Sequence, residues 1–229
     1  MKKIFTFFLV LAASVGMMNA DPTIFAGFNY INGSKGWSDA PNEYDEMLID
    51  GKFTDGTEGV NWTKWFAKEE NKTAEGGTGD NCWWVDFSSD DPIAITHYIL
   101  TVGNDNTPWG EGRNPGSWEI KAKLNEGDAW TTIASVTNDA TMEDINFENY
   151  TFALSTVGQY KYFRFKVTAS RGADCIQICE LRFMNDGSYV PTAVDNTAVE
   201  AKAVKRIVDG QLLIERDGKT FNAQGVEVR

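Results

Sequence analysis

The chain has 229 residues, of which 33 are Asp or Glu and 21 are Lys or Arg, a net charge of −12 with a single histidine. A surface this acidic repels phosphate backbones and anionic lipid, and no basic stripe interleaved with aromatics interrupts it, so nucleic-acid binding is excluded. One histidine, His97, and three dispersed cysteines offer no zinc-ligand spacing. In chain order, Lys2 and Lys3, an apolar run from Ile4 to about Met17 and small residues ending at Ala20 have the layout of a cleavable secretory signal. Residues 1–20 are therefore expected to direct export, to the medium or the cell surface. The apolar run is shorter than the ~20 residues of a spanning helix, so no membrane-spanning segment is expected. No cysteine precedes Cys82, which argues against an amino-terminal lipid anchor. Loss of residues 1–20 leaves 19 basic residues against 33 acidic ones, a net charge of −14. The remaining length suits one β-sandwich with a small appendage.

Helical periodicity is almost absent, whereas period-two alternation recurs. In Trp118–Leu124 and Lys161–Val167 the apolar residues fall on one face and the charges on the other, as on half-buried strands. Cys82–Phe87 and Ile93–Val102 are apolar on both faces for part of their length, which suits central strands. Turn-rich stretches such as Gly76–Asp80 and Asn104–Pro108 separate these runs. Short strands at such intervals indicate an all-β antiparallel sandwich, expected over residues 21–187. A polar stretch over 188–198 reads as a linker. Beyond it, Asp209-Gly210, Asp217-Gly218 and Gln224-Gly225 punctuate short runs, and Asp-Gly between alternating segments is a strong hairpin signal. Residues 199–229 are thus expected to form a small β-meander.

Cys82, Cys175 and Cys179 form an odd set, so at least one thiol is free or bridged to another chain. Cys175 and Cys179 lie four apart on one expected strand, roughly 13 Å at ~3.3 Å per residue, too far to bond to each other. A bridge from Cys82 to either stays open. Catalysis is not expected: acids are plentiful, but nothing fixes a pair at hydrolytic spacing, His97 sits in a strand-like run, and no nucleophile elbow is present.

Several segments between Tyr44 and Phe183 together resemble the discoidin module, the coagulation-factor type C domain of the galactose-binding-like fold. They are Leu48-Ile49-Asp50-Gly51 with Thr63-Lys64-Trp65, then Trp84-Val85-Asp86-Phe87, then Gly103-Asn104-Asp105 with Arg113–Ile120. Trp130–Ile133, Tyr160–Phe165 and Ile176–Leu181 complete the series. The resemblance implies a jelly-roll sandwich that binds something rather than catalysing, with a glycan as the leading expectation. Protein adhesion, to a host or envelope protein, and a purely structural surface role are the alternatives. The segment Lys205–Ile214 with Lys219–Gly225 resembles the carboxy-terminal sorting tails of a type IX secretion route in Bacteroidetes-type bacteria.

The same resemblance implies a structural Ca²⁺, with carboxylates from Asp50 and Glu180, a hydroxyl or carbonyl from Thr63, and further oxygens from Lys52 and Asp55; a hard cation accepts six to eight such oxygens. The competing reading makes Asp50 a turn cap and Glu180 half of an ion pair. For ligand binding, Trp109 is the first candidate, since it lies in a polar loop where no strand needs it, and an aromatic face stacks on the C–H surface of a sugar ring. Trp37 is the second, and Asn104 and Arg113 are polar candidates beside them. For Arg113 the resemblance favours a pair with Asp105 that organises its own loop over ligand contact, and Trp109 equally suits packing on its loop. Trp65, Trp84, Trp118 and Trp130 read as core, while Trp62 and Trp83 fit either role.

Overall fold

A computed structural model of the chain describes residues 21–53, 62–191, 204–208, 211–216, 219–222 and 228. The segment read as an export signal, Asp55 and the sequence around it lie outside the described residues. The chain divides into two compact units at Tyr189/Val190.

Among the described residues the first unit holds nine strands: β1 (Thr23–Phe25), β2 (Asn29–Gly33), β3 (Trp65–Lys68), β4 (Thr73–Ala74), β5 (Asn81–Val102), β6 (Pro115–Lys123), β7 (Thr131–Val136), β8 (Asn149–Ser170) and β9 (Cys175–Asn185). Every pairing among them is antiparallel. β5 and β8 each run for 22 residues, and the register between them breaks from Ser88 to Ile93 and again between Ile95 and His97. Pro92, which has no N–H to donate, occupies the first break, where no ladder bond is lost.

Those breaks let each long strand serve two layers, as strands do at the corners of a sandwich. In one layer the first half of β5 lies between β2 and the second half of β8, followed by β6 and β7. In the other, β1 and β3 share one edge of β9, followed by the second half of β5 and the first half of β8. The result is an all-β antiparallel sandwich.

The hydrophobic pattern explains the layering. On β6, Trp118, Ile120 and Ala122 are buried, while Glu119, Lys121 and Lys123 face outward; on β8, Phe163, Phe165 and Val167 do the same against Arg164 and Lys166. These side chains and Leu100, Ile178, Leu181 and Phe183 of the opposite layer form one contiguous core. Phe163 stands at its centre, 4.6 Å from the Phe183 ring and 5.4 Å from that of Phe87. β5 and β9 are buried on both faces over most of their length, which accounts for their unbroken apolar runs.

Buried indoles need a partner for their N–H, and each finds one: Trp118 Nε1 donates to Tyr98 Oη at 3.0 Å, Trp65 Nε1 to the Lys35 carbonyl at 2.9 Å and Trp84 Nε1 to Thr73 Oγ1 at 2.9 Å. Trp83 joins them in the interior, its Nε1 donating to the Lys68 carbonyl at 2.8 Å. Trp130 departs from the sequence reading. It precedes β7 and is half-buried on the outer face, so it is not a core residue. No bridge joins Cys82 to Cys175 or Cys179: all three are buried free thiols, and burial pushes Cys82 up to about 11 and Cys179 up to about 12, which leaves them protonated and inert.

The second unit is an antiparallel meander of β10 (Val204–Val208), β11 (Gln211–Arg216) and β12 (Lys219–Asn222). Val208 pairs with Gln211 and Arg216 with Lys219, which makes each connection two residues long. The connecting residues, Asp209-Gly210 and Asp217-Gly218, lie outside the described residues.

Candidate functional site

The loop between β5 and β6, residues 103–114, is built on a polar floor. Asn106, Asn114 and Gln177 are wholly buried. Gln177 Nε2 donates to Asn106 Oδ1 at 2.6 Å, Asn106 Nδ2 to Asn114 Oδ1 at 3.1 Å, and Asn114 Nδ2 to the Glu143 carbonyl at 3.0 Å. A satisfied buried network of this kind rigidifies what it supports. The turn above it requires glycine at position 110, because a Cβ there would lie 2.2 Å from the Asp105 carbonyl oxygen.

Charge locks the same loop from the side. Asp105 accepts from Arg113 Nη1 at 3.1 Å and pairs with Lys64 Nζ at 3.3 Å; Lys64, almost wholly buried, also faces Glu43 at 3.5 Å and Gln177 Oε1 at 3.4 Å. Arg113 Nη2 donates to the Trp109 carbonyl at 3.3 Å. On the far side, Thr107 and Asn146 exchange two hydrogen bonds, Thr107 N to Asn146 Oδ1 at 3.0 Å and Asn146 Nδ2 to the Thr107 carbonyl at 3.1 Å, and Thr107 Oγ1 donates to the Asp144 carbonyl.

On this braced loop the Trp109 side chain is open, with the residue 82% exposed. Its backbone is held from both flanks while its ring faces solvent. Ile145, 45% exposed, lies beside the Asp144 and Asn146 anchors and adds apolar surface at the same end.

The other sequence candidates are differently placed. Trp37 is half-buried, packs edge-on against Phe66 at 5.8 Å and has Lys68 Nζ 3.7 Å from its ring centroid. Phe66 in turn lies 5.5 Å from the Arg113 guanidinium, which puts Trp37 and Trp109 at the same end of the sandwich. Asn104 is half-buried, and its Oδ1 has no hydrogen-bond partner among the described residues. Arg113 is engaged by Asp105 and the Trp109 carbonyl. Trp62 packs edge-on against Phe147 at 5.2 Å. His97 sits 2.8 Å from Thr96 Oγ1 and 3.9 Å from Asp186.

The residues named for Ca²⁺ also converge, with Asp55 outside the described residues. Asp50 Oδ1 accepts from Thr63 Oγ1 and from Lys52 N, both at 2.9 Å, and Lys52 Nζ stands 3.3 Å from Asp50 Oδ2. Glu180 is wholly buried; its Oε1 accepts from Gly51 N at 3.3 Å and its Oε2 has no partner among the described residues. Burial, reinforced by the neighbouring Asp50 charge, pushes Glu180 up to about 9. An orphaned carboxylate oxygen facing a second carboxylate, with the Lys52 carbonyl and the Thr63 hydroxyl alongside, is a donor set of hard oxygens that fits a cation such as Ca²⁺. Among the described residues no group of three or more His, Cys, Asp or Glu forms a metal cluster, so carbonyl and hydroxyl oxygens would have to complete the shell.

The sequence named Trp109 and the Asp105–Arg113 pair beside it but missed the floor beneath them. Asn106 and Asn114 lie in the loop itself, whereas Lys64 and Gln177 come from distant segments that only the fold brings together.

The chain is similar in structure to a family 32 carbohydrate-binding module of C. perfringens NanJ in complex with galactose, at 14% identity and a TM-score of 0.45, covering 72% of this chain and 93% of that one. A family 32 carbohydrate-binding module from Streptococcus pneumoniae EndoD is similar at 13% identity and a TM-score of 0.49, covering 69% and 96%. An F5/8 type C domain from Bacteroides fragilis is similar at 17% identity and a TM-score of 0.46, covering 69% and 97%. No protein-family model and no curated protein matches the chain.

Proposed function

We propose that the chain is an exported, non-catalytic binding module that captures a glycan on the loop end carrying Trp109, with Ca²⁺ as a structural ion between Asp50 and Glu180. The observation that carries this reading is an aromatic ring 82% exposed on a loop whose backbone is fixed by buried asparagines and by the Asp105–Arg113 pair. An unsupported exposed tryptophan loses entropy on binding; one on a rigid loop has already been ordered by folding. Stacking on the apolar face of a pyranose covers the ring, and the polar groups around it leave the sugar rim hydrated.

Export rests on the signal-like residues 1–20, and the tail over 199–229 serves as a sorting segment. Ca²⁺ would be held by Asp50, Glu180, the Lys52 carbonyl and Thr63, where it neutralises two neighbouring carboxylates and ties the 50–53 segment to β9.

A glycan array probed with the purified chain and with Trp109→Ala, each with and without Ca²⁺, tests the proposal. Saturable binding that Trp109→Ala abolishes is the expected result. A flat array from demonstrably folded protein contradicts it and moves the weight to the second reading, a protein-adhesion surface. Trp109 beside Ile145 favours that reading as the kind of aromatic and aliphatic anchor that protein interfaces use.

A further inference from the structure

We propose a second sugar-binding site, on the outer face of the β2–β5–β8–β6 layer, where a pocket of about 120 Å³ is lined by Ile31, Asp86, Lys123, Glu126, Trp130 and Tyr162. It is separate from the Trp109 loop, and it stands whether or not that loop binds a glycan.

Three features mark it as built. The first is a bulge: Tyr30 pairs with Phe87 and Asn32 with Asp86, so Ile31 is the extra residue of β2, and it is 51% exposed on a face otherwise furnished with charges. Bulges re-aim a side chain, and this one sends an isoleucine to a solvent face that burial does not require.

The second is the support of Trp130. The Arg164 guanidinium lies 4.8 Å from its ring centroid and is itself fixed by Asp86, with Nε to Oδ1 and Nη2 to Oδ2 both at 2.6 Å, and by Glu75 at 3.3 Å. The ring is held in place by a cation that cannot swing away.

The third is Lys123. Its Nζ lies over the Trp130 ring, 4.7 Å from the centroid, and over the Tyr162 ring at 5.7 Å, and it donates to the Glu126 carbonyl. An ammonium has three donors, and that carbonyl is its one hydrogen-bond acceptor among the described residues, which leaves donors for a ligand, with the exposed Glu126 carboxylate as acceptor.

The chemistry selects the occupant. Asp86 and Arg164 neutralise each other, and Lys123 and Glu126 put one charge of each sign at the rim, so neither an anion nor a cation is favoured. Two aromatic walls and an aliphatic one, with donor and acceptor at the edge, suit a neutral pyranose that presents C–H groups to the walls and hydroxyls to the rim. Tyr162, Asp86 and Lys123 project from strands rather than loops, which fixes the geometry without ligand-induced ordering.

The test is a ¹H–¹⁵N spectrum of the full chain titrated with galactose, glucose, mannose and N-acetylglucosamine, each to about 100 mM, well above the millimolar range of a weak site. At least one sugar is expected to shift the Trp130 indole resonance and to do so equally in Trp109→Ala. Trp130→Ala should weaken the shifts of the neighbouring Lys123 and Glu126 amides about tenfold. Glu126→Ala, at an exposed position, should weaken them several-fold with melting unchanged, and serves if Trp130→Ala unfolds. A Trp130 resonance unmoved by all four sugars, one that moves only while Trp109 is present, or one that responds to a proline-rich peptide and to no sugar overturns the proposal.

Discussion

Arg113 is engaged within the loop that carries Trp109. Its two nitrogens hold Asp105 and the Trp109 carbonyl, so the loop's shape depends on a planar fork that lysine cannot reproduce. Arg113→Lys is therefore expected to weaken ligand binding while moving the melting temperature little, since lysine keeps the charge beside Asp105 and a partly exposed ion pair is worth about 1 kcal/mol to stability; equal binding by the two proteins in a calorimetric titration would contradict this. Glu75 behaves oppositely. Burial opposes its charge, but hydrogen bonds from Lys121 at 2.5 Å and Lys166 at 2.9 Å outweigh that and hold it down at about 2, against an ordinary value of 4.5. A carboxylate lowered in this way stabilises the fold fully above pH 4.5 and loses that contribution as pH falls toward 2. Denaturant titrations of wild type and Glu75→Gln should accordingly differ most near neutrality and converge across that acidic window. At this scale Trp109 was legible because Thr107, Pro108, Gly110 and Glu111 leave no strand to claim it. Trp130 was not, because it abuts the alternating run Thr131–Val136, and adjacency to a strand does not say whether the residue ahead of it turns inward.

The strands divide into those that alternation reveals and those that it does not. β6 and the second half of β8 bury every other residue, so their faces could be assigned from the sequence. The apolar runs of β5 and β9 were recognisable as central, but their pairing was not. β5 changes partners at Pro92, and such a corner is set by contacts with β2, β8 and β9 rather than by local pattern. The bulge at Ile31 was equally hidden, since it exists only relative to β5. Where the layers meet, Phe163 contacts the rings of Phe28, Phe87 and Phe183. Phe163→Ala removes that junction and is expected to cost about 3–5 kcal/mol in urea unfolding; a loss below about 1 kcal/mol would mean that the two layers do not share the core described above.

At the largest scale, the acidic sandwich is a β framework whose proposed ligand surfaces lie at one end and on one face. The buried Glu180 is the framework's least comfortable member, with one oxygen unpartnered among the described residues and Asp50 close by. Ca²⁺ in large excess over its dissociation constant is therefore expected to raise the melting temperature by on the order of 5 °C, and Glu180→Gln to abolish that rise. An identical response from the Gln variant would place the ion elsewhere.

The proposed function rests on contact between the Trp109 ring and a glycan. Calorimetric titration of the strongest array ligand into wild type, Trp109→Phe and Trp109→Ala measures it most directly. Affinity is expected to fall in the order wild type, Phe, Ala, with the alanine protein at least about tenfold weaker and the fold intact. Equal affinity for all three would contradict it.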